Sequence, residues 1–420
     1  MVWKNTVGRE NLAPTFHLFP FFFLFFFSLI SIFLNPTCAV LITMRCFPFF
    51  TAVLASLAPY TTAAPRPASN HAPAALPPTE SEIPRLVLYF QTTHDKLGRP
   101  ISMLPLVTVK HIALTHLIVC SIHMHKDGLI HLNDHLPDHQ RFNTLWAETN
   151  IMRQSGVKVM GMIGGAAAGS FTKDTLDSPN DLTFEHYYRQ LATIIRNYQL
   201  QGLDIDVEQR MSQNGINRLI LRLRHEFGED FIITLAPVAS ALTSSYGGLS
   251  GFNYQLLEKE YGPLIDFYNT QFYNGFGSMH STSHFDRTVA AGWDPAKIVI
   301  GQLTDRGIWE HIALNKTIVQ LREKLGVIGG IMGWEYFNAS PGGTEAPWEW
   351  ARIMTEILRP GLVPEMKITR DAAIKLMKAW VESAWPGAAV LCGGVAGVVD
   401  EACASAAWRP TVDYMAMVNA

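Results

Sequence analysis

The sequence predicts an α/β fold of the (β/α)8 class, a TIM barrel, on three observations. From Arg85 onward, short runs of Val, Ile and Leu alternate with helix-like segments. Eight such βα units occupy about 270 residues, the size expected of one barrel domain. The runs are apolar on both faces, as in a parallel sheet that helices cover on both sides. The alternative is an open doubly wound sheet, but no Gly-rich phosphate-binding turn follows the first run, which disfavours it.

Eight segments carry the strand pattern, and helical patterns such as Phe184–Gln199 and Ile216–Phe227 separate some of them. In a barrel of this class, catalytic residues lie at the carboxyl ends of the strands. Polar and aromatic residues at those ends are therefore the first candidates for a site. The predicted strands are Leu86–Gln91, His116–Ile122, Val157–Gly165, Gly202–Glu208, Phe231–Val238, Ile265–Asn274, Lys297–Leu303 and Ile328–Phe337.

Residues 1–64 are expected to form a leader that is not part of the barrel. His17–Leu34 is almost continuously apolar and long enough to span a membrane. A second pattern begins at Met44, with a basic residue, an apolar run and a small-residue cleavage site, which is the layout of a secretory signal peptide. We interpret 1–43 as misassigned upstream sequence and 44–64 as the signal peptide. An uncleaved N-terminal anchor is the alternative. We expect a secreted, extracellular protein without stable membrane association after signal cleavage.

The remaining segments give the domain plan. Residues 65–84 are rich in Pro, Ala and Ser and predict a linker. Residues 85–360 hold the predicted barrel, and 361–420 form a tail of unknown structure in which Asp371–Trp385 has an amphipathic helical pattern. We expect the rest of the tail to be an unstructured extension.

The net charge bears on which partners are possible, and the positions of the cysteines bear on which disulfides are possible. A formal net charge of −3 provides no basic surface for nucleic acid, so no nucleic-acid partner is expected. Cys120 lies in a buried-looking strand and is expected to be a free thiol. Cys392 and Cys403 could pair with each other in a secretory compartment.

The most informative stretch is 200–208, in which Asp204, Asp206 and Glu208 alternate with apolar residues. A helix would scatter the three carboxylates, whereas a strand places them on one face. Burying three acids together is unfavourable unless they share protons and hydrogen bonds, and such clusters are typical of catalytic sites. A polar edge strand is the alternative, but the intervening apolar residues require burial on the other face.

The same stretch closely resembles Asp-Gly-x-Asp-x-Asp-x-Glu, the signature of glycoside hydrolase family 18, which contains chitinases and endo-β-N-acetylglucosaminidases. Gln201 departs from the first Asp of that signature. The resemblance implies that Glu208 protonates the glycosidic oxygen and then activates water. It implies that Asp206 holds the acetamido N–H of the substrate, and that Asp204 lies deeper and shares a proton with Asp206.

Two further motifs resemble those of the family. The segment 268–274 resembles the sixth-strand motif Gln-x-Tyr-Asn, through Gln271, Tyr273 and Asn274. The resemblance implies that Tyr273 donates its hydroxyl to the acetamido carbonyl, although a buried structural tyrosine is the alternative. Trp334 matches the tryptophan of the eighth strand, which forms an apolar floor under the reacting sugar in the family. Core packing is the alternative for Trp334.

A third-strand segment corresponds to the family's Ser-x-Gly-Gly, with Met162 in place of the Ser and with Gly164 and Gly165 retained. A hydrogen bond near the carboxylate strand is therefore either missing or supplied by another residue. Tyr89 and Gln91, at the end of the first strand, are candidates for lining the barrel mouth, with core packing as the alternative.

Seven histidines fall between His111 and His139, including His123 and His125. No cysteine or carboxylate framework with zinc spacing accompanies them, so we interpret this segment as a solvated loop after the second strand. Magnesium at the three acids is a further alternative, but the ends of the fifth and sixth strands lack matching ligands. No metal and no cofactor are expected.

Taken with the span Arg85–Pro360, the resemblance points to secreted fungal endo-β-N-acetylglucosaminidases. It implies a retaining, substrate-assisted hydrolase of β-1,4-linked N-acetylglucosamine, with N-glycoprotein or chitin as partner. Only Thr304 to Val327 separate the last two strands, too few residues for the insertion domain of deep-cleft chitinases. We therefore expect a shallow, open groove suited to endo attack on a bulky or branched chain, and the resemblance implies the chitobiose core of high-mannose N-glycans as the substrate. A chitinase and an inactive chitin-binding lectin are the alternatives, and a monomer is expected.

Overall fold

The computed structural model describes residues 83–384, in which strands and helices follow one another in βα order. The strands are β1 (Arg85–Phe90), β2 (His116–Met124), β3 (Ile130–Leu132), β4 (Lys158–Gly165), β5 (Gly202–Val207), β6 (Ile232–Leu235), β7 (Phe267–Gln271), β8 (Ile298–Leu303) and β9 (Gly330–Trp334). The helices are α1 (Pro105–Thr108), α2 (Asn143–Gln154), α3 (Asp181–Asn197), α4 (Gln213–Phe227), α5 (Tyr254–Tyr261), α6 (Ser283–Ala290), α7 (Ile308–Leu325), α8 (Trp348–Leu358) and α9 (Arg370–Ala384).

Parallel pairing closes the sheet into a barrel. The order runs β1-β9-β8-β7-β6-β5-β4-β2, and β1 also pairs with β2, which joins the two ends. β3 lies outside this ring and pairs antiparallel with β2. The predicted (β/α)8 barrel is thereby confirmed. A single helix, α7, spans the connection from β8 to β9, so no insertion domain occupies it.

Alternation along the strands produces two apolar layers. On β5, Leu203, Ile205 and Val207 point outward and pack with the helices, while Asp204 and Asp206 point into the barrel. The barrel interior holds a separate apolar cluster of Val87, Tyr89, Ile118, Cys120, Met160, Met162, Phe267, Val299 and Met332. Asp204 borders this cluster, because Met162 is its neighbour in register on β4 and Tyr89 donates a hydrogen bond to it. Cys120 is a buried free thiol, as expected.

Local chemistry sets the element boundaries. Asn180 and Ser212 cap α3 and α4 by accepting backbone N–H groups of the first turn, so both helices start before the predicted residue. β6 ends at Leu235, before Pro237, which has no N–H to donate to the ladder. β7 ends at Gln271, ahead of a turn in which Asn274 has φ 52°.

The segment after the second predicted strand is a hairpin with an exposed turn, so the expected loop is solvated at the turn but carries strand structure on both sides of it. His123 lies in β2 and His131 in β3, where they are cross-strand partners. The turn between these strands contains Asp127 and Gly128, and Gly128 has φ 80°. A three-residue strand such as β3 is too short to show periodicity. The Asp-Gly pair, which favours hairpin turns, was the available indication.

The described part of the tail packs on the barrel. Ala373, Met377 and Val381 of α9 form a buried cluster with Ala147 and Ile151 of α2. The helix predicted at 371–385 is therefore present, and it lies beyond the expected end of the barrel at residue 360. The leader, most of the linker and the Cys392–Cys403 pair fall outside the described residues. Within 83–384, no helix is both long and apolar enough to cross a membrane.

Candidate active site

The three acids of the carboxylate strand lie in one row that rises towards the barrel mouth. Asp204 is 0% exposed and Asp206 is 5% exposed. Glu208 follows the last residue of β5 and is half-buried. Because consecutive inward residues are two positions apart, each acid lies one step closer to solvent than the last.

Asp204 is held by three donors from three other strands. The hydroxyl of Tyr89 donates to Oδ2 over 2.6 Å, and Nδ2 of Asn269 donates to Oδ1 over 3.0 Å. The hydroxyl of Thr234 also donates to Oδ1. Burial raises the pKa of Asp204, and these three hydrogen bonds oppose the rise because they favour the ionised form. Since both oxygens already accept hydrogen bonds, this arrangement disfavours the magnesium alternative.

Asp206, in contrast to Asp204, has little hydrogen bonding to stabilise its ionised form. Burial, together with the charges of Glu208 and Asp204, raises its pKa well above the usual range. Within residues 83–384, its carboxylate accepts one hydrogen bond, a weak contact of 3.5 Å from Nε2 of Gln271 to Oδ1. No hydrogen bond joins it directly to Asp204 among the described residues. Of the two lower acids, Asp206 is therefore the one whose surroundings favour the protonated form more strongly.

Gln271, at the end of β7, contacts the two upper acids with a single amide group. Its Nε2 lies 3.2 Å from Oε1 of Glu208 and 3.1 Å from the carbonyl oxygen of Ala236. The side chain is 5% exposed. This buried amide positions Glu208 relative to Asp206.

Tyr273 and Asn274 follow β7 at the mouth. Tyr273 is half-buried, and burial and the charges of the three acids raise the pKa of its phenol well above the usual range. The hydroxyl is therefore a neutral donor at physiological pH. It has no hydrogen-bond partner within the described part of the chain. Asn274 is exposed, and its left-handed backbone forms the turn that continues into Gly275.

Trp334 is the last residue of β9, and it is half-buried. Its ring centroid lies 5.4 Å from that of Tyr89, at an interplanar angle of 57°. Tyr89 itself is 1% exposed, so its ring lies beneath Trp334 in the barrel, which is the core-packing alternative and not a place in the lining of the mouth. Trp334 is thus the aromatic surface of this pair that faces the mouth.

Two glycines allow the chain to pass close to Asp206. Gly164 has φ 105°, and a Cβ there would lie 2.1 Å from the carbonyl oxygen of Asp206. Gly165 has φ 83°, and its Cβ would lie 3.9 Å from Oδ2 of the same residue. A hydroxyl near this segment belongs to Ser121, which donates to the carbonyl oxygen of Gly164 over 2.5 Å. Ser121 therefore supplies a hydrogen bond in the region where Met162 replaces the serine.

A cavity of about 460 Å³ opens beside these residues. Glu335 shapes its rim, because its carboxylate accepts the backbone N–H groups of Gln91 and Thr92 at 3.0 and 2.8 Å. The carbonyl oxygen of Gln91 accepts from Asn133 at 3.0 Å. The lining includes Gln91, Thr92, Thr93, His94, Ser121, His123, Asn133, Asp134, His135, Arg141, Phe142, Met162, Gly164, Gly165, Ala166, Ala167 and Trp334. The lining thus combines polar side chains with the aromatic ring of Trp334, a combination suited to a sugar.

Sequence reasoning missed three residues that shape the site: Thr234, Asn269 and Glu335. Asn269 shares its strand face with Gln271, two residues on, so periodicity could have identified it. Thr234 carried no such indication, because its contact with Asp204 depends on the pairing of β6 with β5. Glu335 could not be assigned without knowing that β9 lies beside β1.

Comparisons with known proteins agree with this geometry. The model of glycosyl hydrolases family 18 matches residues 85–336. A solved fungal endo-β-N-acetylglucosaminidase of that family is 62% identical, with a TM-score of 0.64, and the match covers 66% of this chain and 99% of that one. The chitinase ChiC of Aspergillus fumigatus is 44% identical, with a TM-score of 0.58, over 64% of this chain and 98% of ChiC.

Among curated relatives, chitinase 1 of Tulipa saxatilis subsp. bakeri is 29% identical over 188 residues, which are 40% of this chain and 56% of the tulip protein. This chain therefore spans little more than half of that relative's length. The family model covers the barrel from β1 to the end of β9, and thus Asp204, Asp206 and Glu208 together with Gln271, Tyr273 and Trp334. The chain belongs to glycosyl hydrolase family 18.

Proposed function

We propose that this protein is an endo-β-N-acetylglucosaminidase that cleaves the β-1,4 linkage in the chitobiose core of N-glycans. The observation that carries the proposal is the difference in environment between Glu208 and Asp206. Glu208 reaches the open mouth, whereas Asp206, next below it, is 5% exposed and has a strongly raised pKa. Two acids with separated environments are typical of a site that moves a proton.

Proton transfer begins at Asp206. In the free protein Asp206 holds the proton, because Asp204 beneath it is stabilised as a carboxylate by its three donors. When a sugar is bound, Asp206 passes that proton to Glu208 and becomes the carboxylate that accepts the acetamido N–H. Glu208 is then a general acid, and it protonates the glycosidic oxygen as the bond to the leaving sugar breaks.

The nucleophile in this scheme is the substrate's own acetamido oxygen. Asp206 and Glu208 project from one strand, so neither reaches the opposite face of the sugar as the nucleophile of a two-carboxylate enzyme would. The acetamido oxygen attacks the anomeric carbon and forms an oxazolinium ion. Water, deprotonated by Glu208, then opens it. Two displacements at one carbon retain its configuration.

Tyr273 and Trp334 hold the reacting sugar for these steps. The neutral Tyr273 hydroxyl, without a partner in the described structure, is available to donate to the acetamido oxygen. The face of Trp334 provides the apolar surface under the ring. Gln271 keeps Glu208 and Asp206 within reach of one another.

The substrate class is supported by the connection from β8 to β9. It contains one helix and no extra domain, which leaves that side of the mouth open to a branched glycan. The 62% identity to a fungal endo-β-N-acetylglucosaminidase supports the same type of activity. Chitin is the second candidate, because the 44% identical ChiC is a chitinase. We infer secretion from the signal-peptide pattern at residues 44–64.

The deciding experiment incubates the protein with a glycoprotein carrying high-mannose N-glycans and, separately, with chitohexaose. We expect free glycan to be released, with one N-acetylglucosamine left on each asparagine, as detected by mass spectrometry of both products. Cleavage of chitohexaose with an intact glycoprotein would instead establish a chitinase.

A further inference from the structure

A second group of reactive side chains lies on the β2–β3 hairpin, away from the three acids. His123 and His131 are paired across the antiparallel ladder, and His125 follows His123 by two residues. Directly paired residues share a face of a ladder, and so do residues two apart on a strand. Three imidazoles therefore lie on one face of a short hairpin.

Asp127, in the turn, brings two of these imidazoles together. Nε2 of His131 lies 2.9 Å from Oδ2 of Asp127, and Nδ1 of His125 lies 3.3 Å from the same oxygen. The rings of His125 and His131 are stacked, with centroids 4.2 Å apart. One ligand atom from each of the three residues lies within 4.8 Å of the other two.

This donor set has a definite chemical preference. Imidazole nitrogen suits zinc, copper and nickel, and zinc also accepts carboxylate oxygen at about 2.0–2.2 Å. The His131 side chain is only 10% exposed and is fixed on β3. The side chains of His125 and Asp127 are 45% and 44% exposed, so both have free space in which to reorient towards an ion.

We propose that His125, Asp127 and His131 bind a divalent transition-metal ion, with Zn²⁺ the best fit and water as the fourth ligand. His123 is not a ligand in this scheme, since its Nδ1 contacts the carbonyl oxygen of Ser121 at 3.3 Å and its side chain faces the sugar cavity.

Other histidines within the described residues do not offer the same combination. His135 and His139 lie close together, but the Arg141 guanidinium is 3.3 Å from the His135 ring and would repel a cation. His280 contacts a carboxylate, Glu310, at 2.6 Å, but this pair lacks a second imidazole. The hairpin therefore combines two imidazoles and a carboxylate without an adjacent guanidinium.

The position of the site predicts its role. Metal binding would join the turn to β3, and Asn133 follows β3 directly. Asn133 donates to the carbonyl oxygen of Gln91 and accepts from the N–H of Ser121 at 3.1 Å, in the wall of the sugar cavity. The ion would thus stabilise one wall of the glycan site while taking no part in hydrolysis.

The test uses the protein without a polyhistidine tag, treated with chelator and then dialysed. Zinc chloride is titrated by calorimetry, and Co²⁺ is added to a second sample as a spectroscopic probe. We expect one ion per chain, the strong visible absorption of tetrahedral Co²⁺, and a melting temperature that rises by at least about 2 °C with zinc.

The variants His125→Ala and His280→Ala form a matched pair of exposed, carboxylate-bound histidines. We expect His125→Ala to lower zinc affinity by at least about 10-fold, and His280→Ala to bind as the parent protein does. Both should retain glycosidase activity, which verifies their folding. Absence of zinc binding by the parent protein, or equal affinity in His125→Ala, would overturn the proposal.

Discussion

The hydroxyl of Tyr89 on β1 donates to Oδ2 of Asp204 on β5 over 2.6 Å, across the interior of the barrel. Both residues are buried, so this hydrogen bond lies in a poorly solvated environment. Its donor stabilises a negative charge beneath Asp206, and that charge helps to keep the proton on Asp206. The charge of Asp204 therefore adds to burial and to the charge of Glu208 in raising the pKa of Asp206.

Tyr89→Phe removes this donor while keeping the ring. The pKa of Asp204 should rise further, because one of the hydrogen bonds that favour its ionised form is lost. Since ionisation of Asp204 then requires a higher pH, the acidic limb of the kcat/KM profile should move upward by about 1 pH unit. Tyr246→Phe, at a residue 84% exposed, is the control. An identical profile for Tyr89→Phe would contradict the proposed coupling.

Tyr273→Phe tests the donor at the mouth. If this hydroxyl aligns the acetamido oxygen in the transition state, kcat should fall by about 10²–10³-fold, as for loss of one oxyanion-hole donor. KM should change much less. Steady-state kinetics on a soluble N-acetylglucosamine oligosaccharide measure both constants, again beside Tyr246→Phe. A kcat within about 3-fold of the parent value would assign Tyr273 a structural role.

The carboxylate row could be predicted because it depends on local geometry. Residues two apart on a strand share a face, so Asp204, Asp206 and Glu208 could be grouped before any fold was known. Their partners could not be predicted in the same way. Thr234 and Asn269 reach Asp204 from other strands, and the depth of each strand end is set by the register of the closed barrel.

The depth of the Tyr89 side chain in the barrel also could not be predicted from the sequence. Its position near the end of β1 was compatible with the mouth or with the core. The register of β1 with β2 and β9 places its ring beneath Trp334. The β3 hairpin was missed because three residues carry no periodicity, although Asp127-Gly128 marked the turn.

The substitution Asp206→Asn should make the free energy of unfolding less dependent on pH. The Asp206 carboxyl is ionised in the unfolded chain above about pH 4 but keeps its proton in the folded protein to a higher pH. Folding then takes up a proton, so the free energy of unfolding falls as pH rises through this window, by up to about 1.4 kcal/mol per pH unit. The asparagine variant lacks this contribution, and its stability relative to the parent should increase with pH.

Urea unfolding at a series of pH values from about 4 upward measures this difference. The exposed Asp174→Asn is the matched control, and its curve should run parallel to that of the parent protein. A parallel curve for Asp206→Asn as well would mean that Asp206 ionises in the folded protein as it does in the unfolded chain.

Met377→Ala tests whether α9 belongs to the folded unit. Met377 is 0% exposed against α2, and its truncation should lower the free energy of unfolding by about 2–5 kcal/mol. Leu376, its neighbour, is 40% exposed, and Leu376→Ala should change stability by less than about 0.5 kcal/mol. KM at 25 °C should be unchanged in both. Equal urea midpoints for the two variants would show that α9 adds little to the stability of the barrel.

The assignment of Glu208 as general acid is tested most directly by Glu208→Gln, which keeps the shape of the side chain and removes its proton. Glu345→Gln, at an exposed residue after β9, is the matched control. We predict that kcat on an N-glycoprotein falls by at least about 10²-fold in Glu208→Gln alone, while calorimetry shows that the glycan still binds. Turnover by Glu208→Gln at a rate close to that of the parent protein would contradict this assignment.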